Sequence, residues 1–181
     1  MNPGLSETPE PPVAELLKAS FAPVADGRTQ VLVLGSLPGE ISLARGQYYA
    51  NPQNQFWRLI GAVIGAELVG LEYEARLQRL LEAGVGLWDV IATAERAGSL
   101  DGAIRAHTPN ALAELAASLP ELKAIGFNGG KSLHIGRPAL GEAGNLALVA
   151  LPSSSPAFTR RFEEKLAAWM SLRAFLDRAS D

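Results

Sequence analysis

The chain has 181 residues, of which 48% are hydrophobic, and a formal net charge of −3. This size and apolar content predict one globular domain over residues 13–181, behind a flexible leader over residues 1–12. The absence of cysteine excludes disulfides, thiolate zinc sites, catalytic thiols and iron–sulfur clusters.

No apolar run approaches the roughly 20 residues that a membrane helix needs. The first residues, Met1–Pro12, lack the basic start of a signal peptide. We therefore expect a cytoplasmic monomer that makes no membrane contact.

Helical and strand patterns alternate along the domain. In chain order they predict a helix over Val13–Phe21, a strand over Val31–Leu34, helices over Asn54–Gly65 and Leu71–Ala83, a strand over Val85–Ile91, a helical turn within Leu100–Ala106, a helix over Thr108–Leu119, a strand over Leu122–Phe127, a helix over Lys131–Ile135, a strand over Leu146–Leu151 and a helix over Thr159–Arg178. This alternation predicts an α/β fold with a parallel sheet and helices on both faces. The loops that follow Leu34, Phe127 and Leu151 should meet at one edge of that sheet, where open α/β sheets bind ligands.

The first of these loops is Gly35–Gly39, a tight turn in which glycine permits a ligand to approach the backbone closely. Ser36 directly follows Gly35, so the spacing differs from the Gly-x-Ser-x-Gly turn of esterases and lipases. Further along, Tyr49 lies in a loop rich in Gly, Gln and Pro, and we expect its ring to stack on a flat ligand such as a nucleobase. Phe56 and Trp57 occupy a helical apolar face, so their spacing favours packing in the core.

The loops after the last two strands carry amides and hydroxyls. Asn128 offers a donor and an acceptor together, which suits the edge of a base, although Asn-Gly turns are also common. The residues Pro152–Pro156 include three serines ahead of the last helix, where a phosphate can bind, although such a loop can also simply cap a helix.

Other polar residues are given structural interpretations. Asp89 is expected to accept hydrogen bonds from backbone or arginine donors, and His107 and His134 lack metal-ligand spacing. The loops show no pair of carboxylates placed as in a typical sugar hydrolase. Cations that lie in or near the loops could form a phosphate-binding patch or simply a solvated surface; they are Arg45, Lys131, Arg137, Arg160, Arg161 and Lys165.

Taken in order, these motifs resemble the uracil-DNA glycosylase superfamily, and within it the hypoxanthine-DNA glycosylase branch. The matching stretches are Leu34–Gly39, Gln47–Tyr49, Pro52–Trp57, Leu87–Val90, Gly98–Asp101, Phe127–Gly129 and Leu151–Ala157. The resemblance implies a three-layer α/β/α sandwich around a central four-stranded parallel sheet. It also implies a DNA glycosylase that flips a deaminated base out of the duplex and hydrolyses its N-glycosidic bond, without a metal or other cofactor.

The resemblance also implies roles for individual residues. Asn54 would orient the attacking water, because Leu37 stands where the mismatch-specific uracil branch carries an asparagine. Backbone amides near Ser36 would stabilise the leaving base. Tyr49 would stack on the base and Asn128 would recognise its edge. The base-binding candidates further include Gly35, Leu37 and Phe56.

DNA contacts are expected from the last loop and from two cations. Ser153, Ser154 and Ser155 would hold phosphates, Pro156 and Ala157 would lie near the wedge that fills the space vacated by the base, and Lys131 and Arg160 would add positive charge. Asn51 stands where the family often has a histidine. The partner would be DNA that contains hypoxanthine, xanthine or uracil.

Two other functions are compatible with the sequence. Because residue 37 is leucine and not asparagine, the sequence also suits a domain that binds nucleic acid or nucleotides without catalysis. Alternatively, Ser36 or Ser153 could act as the nucleophile of a hydrolase for free nucleosides or small esters, although no His–Asp partnership is visible at the motifs.

Overall fold

The computed structural model describes residues 16–177. The strands are β1 (Leu17–Ala19), β2 (Val31–Gly35), β3 (Val85–Asp89), β4 (Ile91–Glu95), β5 (Arg105–Pro109), β6 (Ala124–Asn128) and β7 (Ala147–Leu151). The α-helices are α1 (Glu40–Arg45), α2 (Phe56–Ile64), α3 (Tyr73–Glu82), α4 (Leu112–Ser118), α5 (Gly130–Leu140) and α6 (Phe162–Trp169), with short 3₁₀ helices at Asp101–Ala103 and Met170–Phe175. None of the helices in this part of the chain is long and apolar enough to span a bilayer.

A four-stranded parallel sheet in the order β3-β2-β6-β7 forms the centre of the fold. All five residues of β2 are buried, as expected of a central strand covered on both faces. Val31 and Val33 pack in one core with α2, α3 and α6, whereas Leu32 and Leu34 pack in a second core with α4 and α5. The expected three-layer α/β/α sandwich is therefore confirmed.

A second sheet, antiparallel and in the order β1-β4-β5, was not expected. The predicted helix over Val13–Phe21 is wrong within the described residues, because Leu17–Ala19 forms a strand that pairs with Ala94 and its neighbours on β4; the start of that prediction lies outside them. The predicted strand over Val85–Ile91 divides at Val90. Its first part joins the parallel sheet as β3, and its continuation as β4 joins the second sheet.

The predicted helix start at Thr108–Pro109 is also wrong. Both residues belong to β5, an edge strand where a proline is tolerated. The helix begins at Leu112, after Asn110, whose Nδ2 donates to Asp89 O at 2.8 Å and to Ile91 O at 3.1 Å. Asn110 therefore ties the end of the second sheet to the end of β3.

Candidate active site

A cleft of about 650 Å³ opens at the carboxyl edge of the parallel sheet. The loops that follow β2, β6 and β7 all line it, as their positions in the sequence predict. It is formed by residues 35–42, 99–102, 128–131 and 153–158, together with Tyr48, Tyr49, Asn51, Asn54 and Asp89. A volume of this size falls within the range of small-molecule sites.

A buried arginine that no sequence motif marked holds the loop after β2. Arg96 is 1% exposed. Its guanidinium donates to Gly98 O at 2.8 Å, to Leu37 O at 3.4 Å and to Pro38 O. The planar guanidinium of an arginine presents five N–H donors in a rigid fork, so it can hold several carbonyls at once. The side chain of Leu37 packs into the core below the loop and supplies no polar group to the cleft.

Ser36 lies on the cleft wall, and its Oγ donates to Asp101 Oδ1 at 2.6 Å. Neither His107 nor His134 is among the described residues that line the cleft, so no imidazole is positioned to activate this hydroxyl. Ser153 is also engaged, because its Oγ accepts from Ser155 N at 3.1 Å. These contacts weigh against the nucleophilic-serine hydrolase.

Tyr49 adopts a left-handed backbone conformation with φ of 52°, which is uncommon for a bulky residue and marks a constrained position. Its ring stacks on Phe56 with centroids 3.8 Å apart, and its carbonyl accepts from Trp57 Nε1 at 3.1 Å. Phe56 is fully buried and lies behind Tyr49, away from the cleft wall. Core packing of Phe56 and Trp57 is thus confirmed, and Phe56 can affect a base only through the Tyr49 ring.

Asn54 also lies on the cleft, and its Oδ1 accepts from Phe56 N at 2.9 Å. This hydrogen bond forms a turn at the start of α2 and fixes which end of the amide carries the oxygen. An amide oxygen has two lone pairs. The second lone pair of Asn54 Oδ1 is therefore left to accept another hydrogen bond, in a direction that the start of α2 sets.

The Asn128 side chain joins two of the cleft loops. Its Nδ2 donates to Ser154 Oγ at 2.9 Å and to Tyr49 Oη at 3.2 Å, and its Oδ1 accepts from Ser154 N at 2.9 Å. Both Nδ2 hydrogens are therefore occupied within the protein. Ser154 is 1% exposed, so the expected phosphate contact from its side chain does not fit its position; the hydroxyl instead helps to hold Asn128.

The loop after β7, residues 152–158, is called the serine loop here. The rest of it is held by hydrogen bonds on its buried side and is exposed on its outer side. Trp169 Nε1 donates to Pro152 O at 2.9 Å, and the buried Lys165 donates to Ser155 O at 3.3 Å. Pro156 and Ala157 are exposed. The next residue, Phe158, is also exposed although it is a large apolar side chain, and no sequence motif marked it.

The cations that the sequence suggested for a phosphate patch fall into different environments. Lys131 lines the cleft. Arg160 lies over the Phe158 ring, 5.3 Å from its centroid, and 3.9 Å from Glu164 Oε2. Lys165 is buried and burial lowers its pKa, so it belongs to the framework of the loop. Within residues 16–177, no three His, Asp or Glu side chains are grouped as a metal site would require.

Asp89 was expected to be a structural acceptor, and that interpretation is wrong for its carboxyl group. Asp89 is 4% exposed, and its Oδ2 has no hydrogen-bond partner among the described residues. Burial raises its pKa to about 7, with a further contribution from the charge of Asp101, while Arg96 acts in the opposite direction. The fold therefore brings three carboxyl-bearing residues, Glu40, Asp89 and Asp101, to one cleft, although no motif showed such a group.

Residues 22–176 match the Uracil DNA glycosylase superfamily. The chain belongs to this superfamily. It is 40% identical to a protein named hypoxanthine DNA glycosylase from Methanosarcina barkeri, over 84% of this chain and 95% of the relative. A protein of the same name from Methanosarcina acetivorans is also 40% identical, over 85% of this chain and 96% of the relative.

A solved structure supports the same placement within the superfamily. The solution NMR structure of a candidate uracil DNA glycosylase from Methanosarcina acetivorans superposes with a TM-score of 0.77 and 37% identity, over 87% of this chain and 96% of that chain. The resemblance expected from the motifs is thus confirmed, and the family match over residues 22–176 includes the whole parallel sheet, β4, β5 and the cleft.

Proposed function

We propose that this protein is a monofunctional DNA glycosylase that removes hypoxanthine from deoxyinosine in DNA and leaves an abasic site for base excision repair. The DNA N-glycosylase activity follows from the superfamily and from two relatives at 40% identity that carry the name hypoxanthine DNA glycosylase. The observation that supports the choice of base most strongly is this identity over nearly the full length of both relatives. Xanthine and uracil are further candidates, because both also carry a carbonyl beside a ring N–H.

The substrate base would leave the DNA stack to enter the cleft, since the reacting bond is inaccessible in a duplex. Unstacking costs a few kcal/mol and costs least at a mismatched or damaged pair. Tyr49 lies on the cleft and is backed by Phe56 at 3.8 Å, so its ring cannot retreat when a base stacks on it. Stacking of this kind contributes about 1–3 kcal/mol per base.

Hydrolysis would depend on a water held by Asn54 rather than on a strong base. The Oδ1 atom of Asn54 is already fixed by the amide of Phe56, which reduces the conformational freedom that the Asn54 side chain would otherwise lose when it binds the water. An amide is too weak a base to deprotonate water, so its contribution is orientation. Backbone amides of the loop around Ser36, which Arg96 holds in place, would stabilise charge on the leaving base.

Asn128 would position the base pocket as well as contact the base. Its contacts with Tyr49 and Ser154 hold the stacking ring and the serine loop in a fixed relation. The second lone pair of Oδ1 is left to accept from a base N–H. Direct donation from Nδ2 to a base carbonyl would require one of its two present hydrogen bonds to break.

DNA would be held mainly by the serine loop. Ser153 and Ser155 lie on the cleft beside the exposed segment Pro156–Phe158, which would occupy the space vacated by the flipped nucleotide. Lys131 on the cleft and the exposed Arg160 would approach phosphates. Lys165 is buried and donates to Ser155 O, and Lys131 would contact phosphate, so neither amine is assigned the role of a nucleophile.

The proposed activity is tested with duplexes that carry one deoxyinosine, one deoxyxanthosine or one deoxyuridine. We expect release of free hypoxanthine and an abasic product that breaks only after alkali treatment. Borohydride should trap no covalent complex. Release of no base from any duplex, or a trapped Schiff base, would contradict this function.

A further inference from the structure

Asp89 is the cleft residue whose surroundings the water-positioning mechanism leaves unexplained. It ends β3, in register with Gly35 at the end of β2. Its carboxyl group is buried and lines the cleft, yet Oδ2 receives no hydrogen bond from any residue in the described range. A buried carboxylate without donors is strongly disfavoured, so this position favours a protonated carboxyl.

The charged and titratable groups around Asp89 do not supply the missing donor. Asp101 adds a like charge, and the phenols of Tyr48 and Tyr49 lie close enough to interact with Asp89 electrostatically. Arg96 is the favourable neighbour, but its guanidinium donates to the backbone carbonyls of the 35–39 loop and of Gly98. The balance raises the pKa of Asp89 to about 7, so near neutral pH the group can both hold and release a proton.

Gly35 leaves the space in which this carboxyl meets the stacking residue. A Cβ atom on residue 35 would lie 2.6 Å from Asp89 Oδ1 and 2.8 Å from Tyr49 Oη. The two oxygens therefore converge on one point at the base of the first loop. A base stacked on the Tyr49 ring would have the Asp89 carboxyl within reach of its edge.

We propose that Asp89 is a general acid that protonates the departing purine, an inference that rests on the glycosylase function proposed above. As the N9–C1′ bond breaks, its electron pair passes to hypoxanthine, and the Asp89 proton moves to a ring nitrogen that has a free lone pair. The water oxygen bonds to C1′, and the proton that this water loses returns to the Asp89 carboxylate. The released base is neutral hypoxanthine, and the carboxyl is restored for the next turnover.

This assignment distinguishes purine from pyrimidine substrates. Hypoxanthine linked to the sugar has ring nitrogens that accept a proton, whereas uracil linked through N1 offers only carbonyl oxygens beside its N–H. A carboxyl donor facing the base edge therefore helps a purine to leave more than it helps uracil. Positioned acids of this kind typically contribute about 10²–10⁴-fold in rate.

The test compares single-turnover release of hypoxanthine by the wild type and Asp89→Asn from pH 5.5 to 9. We expect the wild-type rate to fall as pH rises through the range near 7, and the variant to be about 10²-fold slower or more at pH 6.5, with little dependence on pH. Asp101→Asn removes the neighbouring charge that raises the Asp89 pKa, so it should shift the wild-type profile to lower pH. Asp26→Asn is the matched control, since Asp26 pairs with Arg28 outside the cleft.

Folding and chemistry are separated by two further measurements. Affinity for DNA that carries a non-hydrolysable 2′-fluoro analogue of deoxyinosine reports whether Asp89→Asn still binds substrate. At pH 5.5, added formate buffer should restore part of the activity of Asp89→Ala, because the formic acid that it contains can supply the missing proton. A variant with the wild-type rate and profile, or a slow variant that keeps the wild-type profile and is not rescued, would overturn the role of Asp89. Failure of the wild type to release hypoxanthine at any pH would instead refute the proposed function.

Discussion

The buried carboxyl of Asp89 should make the protein less stable as pH rises, and Asp89→Asn should remove that loss. The folded protein retains this proton up to about pH 7, whereas the unfolded chain releases it near 3.8. Between these values the native state binds more protons than the unfolded state, so stability falls with rising pH and the loss is complete above about 7. Each pKa unit is worth about 1.4 kcal/mol, which gives an upper limit of about 4 kcal/mol.

The measurement is the free energy of unfolding in urea for both proteins at pH values from 5 to 8.5. We expect the free energy of unfolding of Asp89→Asn, relative to that of the wild type, to rise steadily up to about pH 7 and to stay constant above it. Asp26→Asn should show no such trend, because Arg28 holds the pKa of Asp26 below its usual value and the group stays ionised over this range. A difference between Asp89→Asn and wild type that does not change with pH would refute the assignment of a protonated, buried carboxyl.

Two further substitutions test the construction of the cleft. Gly35→Ala should reduce base release by at least tenfold and also lower the melting temperature, because the new Cβ would lie 2.6 Å from Asp89 Oδ1 and 2.8 Å from Tyr49 Oη and the Tyr49 ring is backed by Phe56. Equal base release by variant and wild type would contradict this. Arg96→Met should lower the free energy of unfolding, measured in urea, by roughly 3 kcal/mol, because it leaves buried carbonyls such as Pro38 O without a donor. An unchanged free energy would show that the hydrogen bonds from Arg96 do not stabilise the fold.

The parallel sheet was predictable from the sequence because each of its strands is marked by an apolar run of consecutive residues. Val31–Leu34 is an uninterrupted apolar run, and such a run suits a strand that is covered on both faces. Since the carboxyl ends of parallel strands share one edge, the meeting of the first loop, Asn128 and the serine loop also followed from the sequence. The cleft lies at that edge.

The second sheet was not predictable by the same means. Leu17–Ala19 has a composition that suits a helix, and it becomes a strand because Thr93, Ala94 and Glu95 provide a pairing edge far along the chain. Likewise, Thr108–Pro109 looks like a helix start, but pairing with β4 extends it. In both segments, hydrogen bonding to the distant strand β4 overrides the local helix propensity.

Within the site, the positions of residues were easier to predict than their environments. The sequence predicted Asp89 within a strand over Val85–Ile91. That its Oδ2 lacks a donor depends on Gly35 from another strand and on where Arg96 directs its hydrogen bonds. The bonds of Asn128 reach Tyr49, which is 79 positions away in sequence. Such contacts arise from the fold, so a single sequence could not reveal which amides and carboxyls are already occupied.

The most direct measurement is hypoxanthine release from a duplex that carries one deoxyinosine, with wild type, Asn54→Ala and Asn51→Ala compared under single-turnover conditions. Asn51 is the matched control, because its Oδ1 accepts from Gln53 N at 3.0 Å in the same kind of turn that Asn54 makes with Phe56. We expect rapid release by the wild type and by Asn51→Ala, and a loss of about 10²-fold or more in Asn54→Ala. Release by Asn54→Ala at the wild-type rate would show that the water is held elsewhere, and no release by the wild type would contradict the glycosylase function itself.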